Sequence, residues 1–340
     1  MSFIELRVKS LELRILKKKL YIGKSIGAFV VVLLLMPLGH AMMVLMEHFL
    51  TPVALHYCAF TMGLVGLVIT IGGVFAKGDT QQTIFGLVGA MLFWTGWVEF
   101  LFVYYARRFG VHCDLYGSGI IQTTTQYVDG LISHQEYLIN GTPLEDYSRS
   151  ELKAIRGSRP EYLIMPATFG MWVIVMLFYV FCTKTGCDFI NWLQNHCLPK
   201  SRQFSNLQGD IRVGIRNASI ITFMEWNVMM WGIYLLLMFC YDPVFLGQSH
   251  PVTIVLAIIS LVSSILMLKK ELYIAAWGRN IRYALATVIV FWTFVEIMAR
   301  NGFFKEIWVD PMSHICEMTI ILVVFIVIVT LTIFRSKIFK

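Results

Sequence analysis

Two stretches of the chain carry the same phrase, FWTGWVEF at residues 93–100 and FWTFVEI at residues 291–297. Each sets an aromatic, a Trp and a Thr ahead of a Val-Glu pair, so Glu99 and Glu296 stand inside runs of large apolar side chains. A charged carboxylate near the middle of a bilayer costs about 3 kcal/mol even on lenient scales. A chain that tolerates two of them in the same context is using them.

The surroundings are those of a membrane protein. Hydrophobic residues make up 57% of the 340, charged residues 14%, and the mean hydropathy is +0.70; ordinary soluble domains carry more charge. Eight segments are apolar over a length that suits a hydrocarbon core about 30 Å thick: roughly 24–47, 56–76, 83–106, 161–182, 217–241, 251–268, 283–299 and 314–334. The expectation is an all-α integral membrane protein of eight transmembrane helices.

Lys and Arg orient it. The leader MSFIELRVKSLELRILKKKL, Lys77, the linker with Lys184, Lys200, Arg202, Arg212 and Arg216, the pair Lys269 and Lys270, and the tail Arg335, Lys337 and Lys340 alternate onto one side. By the positive-inside rule both termini are expected in the cytoplasm of a plasma or bacterial inner membrane. The loop at 107–160 then faces outward, where it would serve as a lid or dock a protein partner. Within it SRSELKAI reads as a capped helix, and Gly130, Gly141 and Pro143 mark turns. The leader at 1–22 suits either a helix lying on anionic lipid or an orientation signal. The net charge of +7 is accounted for by topology, and no basic patch points to nucleic acid. Seven cysteines without framework spacing argue against a disulfide scaffold.

The repeated phrase predicts a tandem duplication. Thr51-Pro52-Val53 ahead of His56 pairs with Asp242-Pro243-Val244 ahead of His250, and IGKSIGAFVVV at 22–32 with IRNASIITF at 215–223. The units are 23–182 and 216–334, joined by a cytoplasmic linker at 183–215 and followed by the basic tail 335–340. Four helices per unit is an even number, so both units share one orientation, and corresponding residues should face each other about an axis along the membrane normal. Gly96 has no partner in the second phrase.

Polar chemistry gathers toward the outer side. Glu99 and Glu296 are the expected catalytic carboxylates, each sharing a helix face with a threonine, Thr95 or Thr293. His40, Glu47, His48, His56, His112, His250 and His314 fall at a similar level and are the expected ligands of a transition metal, iron, copper or zinc, since imidazole and carboxylate suit those ions. His40, Met43 and Glu47 form one helical stripe. In the inner half, Glu225 stands in the fifth span without a counterpart in the first.

No Walker motif, GxSxG, desaturase-like histidine box, CxxCH or acidic prenyltransferase box is present. The leading expectation is a metal-dependent membrane enzyme or redox protein acting on a lipid-soluble or small substrate. A proton- or ion-coupled transporter and a non-catalytic subunit of a larger complex are the alternatives.

Overall fold

The structure is a computed structural model, and it describes residues 20–108, 121–128, 131–139, 142–146, 165–181, 188–197, 217–241, 246 and 250–338. In chain order the helices are α1 (Ile22–Phe49), α2 (Pro52–Val74), α3 (Asp79–Phe93) and α4 (Phe100–Arg108), then α5 (Phe169–Phe181), α6 (Asp188–Cys197), α7 (Ala218–Tyr241), α8 (Pro251–Glu271), α9 (Trp277–Arg300) and α10 (Ile315–Ile338). A π-helical segment, Trp94–Glu99, joins α3 to α4 in one continuous rod.

Six of these are long and apolar enough to cross a membrane: Ile22–Phe49, Val53–Val74, Asp79–Tyr105, Ala218–Tyr241, Pro251–Glu271 and Trp277–Arg300. The expected eighth span is represented by the apolar run Ile315–Leu331. Of the expected fourth, α5 shows 13 residues, a rise of about 20 Å. The leader, the tail beyond Ile338 and the SRSELKAI helix lie outside the described residues.

The large loop holds the part of the fold that is not helical. β1 (Ile121–Val128) and β2 (Leu131–Ile139) pair antiparallel, and β3 (Thr142–Pro143) adds to the far edge of β2. Asp129-Gly130 sits between β1 and β2, the dipeptide that favours a tight hairpin turn, and the flanking runs are rich in Thr, Ile, Val and Tyr.

The core is built around α3 and α9, the two helices that carry the repeated phrase. α3 packs between α2 and α7, α9 between α8 and α1, and α3 and α9 meet each other. Ala28, Val32, Leu35, Leu87, Leu285 and Ile289 interlock at the centre. α2 and α8 lie outermost and display Leu64, Val68 and Ile71, and Val255, Ile259 and Val262, on exposed faces. Apolar surface on this scale belongs against acyl chains, not water.

Close helix approach comes from small residues. A side chain at Gly66 would place Cβ 2.6 Å from the Gly89 carbonyl oxygen, and one at Gly96 would place it 2.5 Å from that of Ala59. The α2–α3 hairpin therefore zips along glycine, the device that stands in for hydrophobic driving force between helices in lipid.

At the end bearing Lys24, Lys77, Lys269 and Lys270, here the basic end, polar bonds tie the bundle together. Arg282 Nη2 of α9 lies 2.9 Å from Asp79 Oδ1 of α3, and its Nη1 donates to Thr83 Oγ1 at 2.5 Å. Ser25 of α1 donates to the Glu271 carbonyl of α8 at 2.9 Å, and Ser219 of α7 donates to the Thr70 carbonyl of α2 at 2.8 Å.

Two helix starts are alike in sequence. Thr51 caps α2, its hydroxyl accepting from the Ala54 N–H, with Pro52 and Val53 next; His250 caps α8, its ring accepting from the Val252 N–H, with Pro251 and Val252 next. His56 lies a turn inside α2.

Candidate functional site

His40, Glu99 and Glu296 lie 18, 20 and 19 residues past the starts of α1, α3 and α9. At 1.5 Å per residue that is about 27–30 Å from the basic end. Since α1 packs on α9, and α3 against both α9 and the cavity wall of α1, the three side chains reach one level of the core.

They line a single cavity of about 30 Å³, walled by Trp94, Trp226 and Trp292 among others. That volume admits about two water molecules. His40 Nδ1 and Glu99 Oε1 share a hydrogen bond of 3.1 Å, with both side chains nearly buried. Glu296 is held separately: the Trp292 indole N–H donates to its Oε2 at 3.1 Å, and Arg300 Nε lies 4.0 Å from its Oε1. Arg300 in turn lies over the Tyr241 ring, 4.2 Å from its centre.

The unmatched glycine explains why the two carboxylates have different partners. In α9, Trp292 stands four residues before Glu296, the spacing at which side chains on an α-helix meet. In the α3–α4 rod Gly96 stands between Thr95 and Trp97, so Trp94 lies five residues before Glu99, and the segment between them is π-helical. Among the described residues the buried Trp94 indole nitrogen has no hydrogen-bond partner, and Glu99 bonds His40. The Thr293 hydroxyl, on the same helix face as Glu296, donates not to it but to its own helix at Ile289 O, 3.2 Å away. In α9 the tryptophan of the phrase holds the carboxylate instead.

The other candidate ligands are dispersed. His56 packs edge-on against Phe100 and Tyr104, with ring centres 5.4 and 4.6 Å away. His48 is exposed beside Phe49. His250 is taken up by its capping bond, and His314 lies 3.6 Å from Glu317 in an exposed turn. Glu47 is half-buried, and neither it nor Met43 lines the cavity. His112 lies outside the described residues. Among the described residues no group of three or more His, Cys, Asp and Glu stands close enough to hold one metal ion.

Sequence reasoning missed Tyr234. It lines the same cavity and stacks on Trp94 with ring centres 5.5 Å apart. Its signal is spacing: Tyr234 is 15 residues after Ser219, as His40 is 15 after Ser25, and the two serines make equivalent bonds. Comparison with protein-family models, curated proteins and solved structures finds no match to this chain.

Proposed function

We propose that the protein is a membrane enzyme performing acid–base chemistry on a lipid-soluble substrate at the His40–Glu99–Glu296 cavity. The hydrogen bond between His40 and Glu99 inside a cavity shared with Glu296 carries this reading. A carboxylate bonded to one imidazole nitrogen fixes the ring's tautomer and orientation and stabilises the imidazolium. In this reading His40 Nε2 exchanges the proton with substrate, Glu99 positions and charges the ring, and Glu296, held by Trp292 and Arg300, is the second acid.

The site sits between two halves of a duplicated unit with a common orientation, both termini in the cytoplasm and the cavity toward the outer leaflet. The reading is supported by the swapped packing of α1 on α9 and α7 on α3, the matching Thr51-Pro52 and His250-Pro251 starts, and the paired serines. Duplication lets one position diverge while its counterpart keeps the fold, and His40 opposite Tyr234 is such a divergence.

The test is comparison of whole lipid extracts from cells producing the wild type, His40→Ala or Glu99→Gln at equal levels. A species formed or consumed only with the wild type supports the enzyme; identical extracts overturn it. A metal-assisted version would need Glu296 to close on the His40–Glu99 pair to complete a ligand set for iron, copper or zinc. Stoichiometric metal in purified wild type, lost in Glu296→Gln, would establish it. Proton-coupled transport is the second reading, favoured by the placement of protonatable groups from both halves at the interface of the repeats. It requires an imposed potential to acidify proteoliposomes through the wild type and not through Glu99→Gln.

A further inference from the structure

The cavity that holds His40, Glu99 and Glu296 is also an aromatic box. Four indoles and a phenol wall it: Trp94, Trp226, Trp292, Trp308 and Tyr234. Trp226, Trp94 and Trp292 are 2%, 4% and 8% exposed, and Trp308 leans on Trp292 with ring centres 4.8 Å apart and planes at 48°. Both carboxylates share this wall, and most of the surface the cavity exposes is polar. The face of an indole attracts a cation, most strongly where water is shut out.

Charge and size narrow the occupant. Among the described residues that line or touch the cavity, the two carboxylates meet one guanidinium, that of Arg300, 4.0 Å from Glu296. With the His40 ring counted as neutral, one negative charge is left over, and a charge kept from water calls for a partner. A transition metal would need several His, Cys, Asp or Glu together, and the described residues contain no such group. A hard metal ion takes a shell of about six oxygens, whereas rings make up much of this wall. An ammonium asks for less: each carboxylate oxygen has a second lone pair to accept an N–H, and the rings take the rest of the charge. At about 30 Å³ the space admits about two non-hydrogen atoms, enough for ammonium or methylammonium and too little for a quaternary ammonium.

We infer that the cavity binds a primary ammonium group, its N–H donors on Glu99 and Glu296 and its charge against the tryptophan faces. Such a group has two sources, a free small amine or the head of an amine-bearing lipid. The inference names the reacting group for the enzyme proposed above and rests on that reading for its link to catalysis; the binding itself does not depend on it.

The experiment titrates the full-length protein, in nanodiscs of phosphatidylcholine, with methylammonium chloride at constant total chloride, sodium making up the balance, and reads tryptophan fluorescence. A saturable change with a midpoint of a few millimolar is expected, about the most that a ligand of two heavy atoms can give. Ammonium should act likewise, and tetramethylammonium should have no effect. Glu99→Gln, which keeps the shape and removes the charge, should raise the midpoint about ten-fold. Gly39→Ala tests size: its methyl would stand 3.4 Å from Thr95 Oγ1 and 3.6 Å from Met91 Cγ, both on the cavity wall, and should exclude methylammonium while still admitting ammonium. Competition by a long-chain primary amine would identify a lipid head as the source, and its failure to compete a free amine; either supports the site. Binding with no change in cellular lipids would discard the catalytic reading and leave this one standing. No saturable response, one that tetramethylammonium reproduces, or one that Glu99→Gln and Gly39→Ala both leave intact would overturn it.

Discussion

Deletion of a residue from the middle of a transmembrane helix turns everything beyond it by about 100° and shifts it 1.5 Å, which normally destroys packing. Deletion of Gly96 is expected to be an exception. The π segment Trp94–Glu99 already contains one residue more than an α-helix needs, and removing Gly96 converts WTGWVE into WTWVE, the pattern of WTFVE in α9. Phe93 and Phe100 then keep their places, and Glu99 stays at the level of His40. The identifiable loss is the bond from the Trp97 indole to Phe60 O, 2.9 Å long, about 1 kcal/mol net. For a chain of this size that lowers the thermal midpoint by about 2 °C. Gly96→Leu should be worse than the deletion, because its Cβ would meet the backbone at Ala59 O and Gly63 N, 2.5 and 2.6 Å away; about 3 kcal/mol is expected for overpacking against atoms that cannot turn aside. Deletion of Ala90, fully buried in the same helix, is the control that should not assemble. The assay is size-exclusion chromatography of fluorescently tagged protein in mild detergent after graded heating. If the Gly96 deletion aggregates as the Ala90 deletion does, the π segment is not an absorbed insertion and the account of Glu99 and His40 fails with it.

Asp79→Ala leaves the buried Arg282 guanidinium with Thr83 as its remaining bonded partner among the described residues, and the same heating assay should register a loss of about 1–3 kcal/mol; Asp79→Asn should lose less. Trp292→Phe removes the hydrogen-bond donor to Glu296, and the same heating assay should register a loss of about 1 kcal/mol. Hydrogen bonds from the Ser313 side chain, and then from its backbone, hold the Asp310 carboxyl below its ordinary value in the exposed loop between α9 and α10. Such a depressed acid stabilises the loop above the unfolded-state value and ceases to as pH falls through the folded one. Ser313→Ala should therefore raise the Asp310 titration midpoint and narrow that acid window, measured by carbon NMR of labelled Asp.

Much of the membrane architecture was legible because lipid imposes it. Apolar length located the helices, and the repeated phrase located both carboxylates that reach the cavity. Gly96 stood out as unmatched, and an unmatched residue inside a continuous apolar run is the signature of a π turn, since a helix of fixed ends has few other ways to take one in. Histidine was harder. The stripe of His40, Met43 and Glu47 is real on α1, yet neighbours on one face diverge as soon as a second helix crosses at an angle, and only His40 meets Glu99. His250 opens α8 as its cap, and the proline that follows it is the local signal of that role. The paired strands of the 107–160 loop were written in two β-branched runs on either side of Asp129-Gly130 in the sequence; the expectation of an all-helical chain hid them.

Arg282 also bears on how the molecule is made. Helices enter a membrane in the order of synthesis, and α9 emerges about two hundred residues after α3. Until the two meet, Arg282 has no Asp79 to neutralise it and must keep its charge near the lipid head groups, while Asp79 waits at the mouth of an unfinished bundle. The bundle around α3 is thus left open by its own sequence, and its closure depends on a cation delivered about two hundred residues later in the chain. A ribosome stalled between residues 241 and 277 would expose that dependence as a truncated chain unable to close.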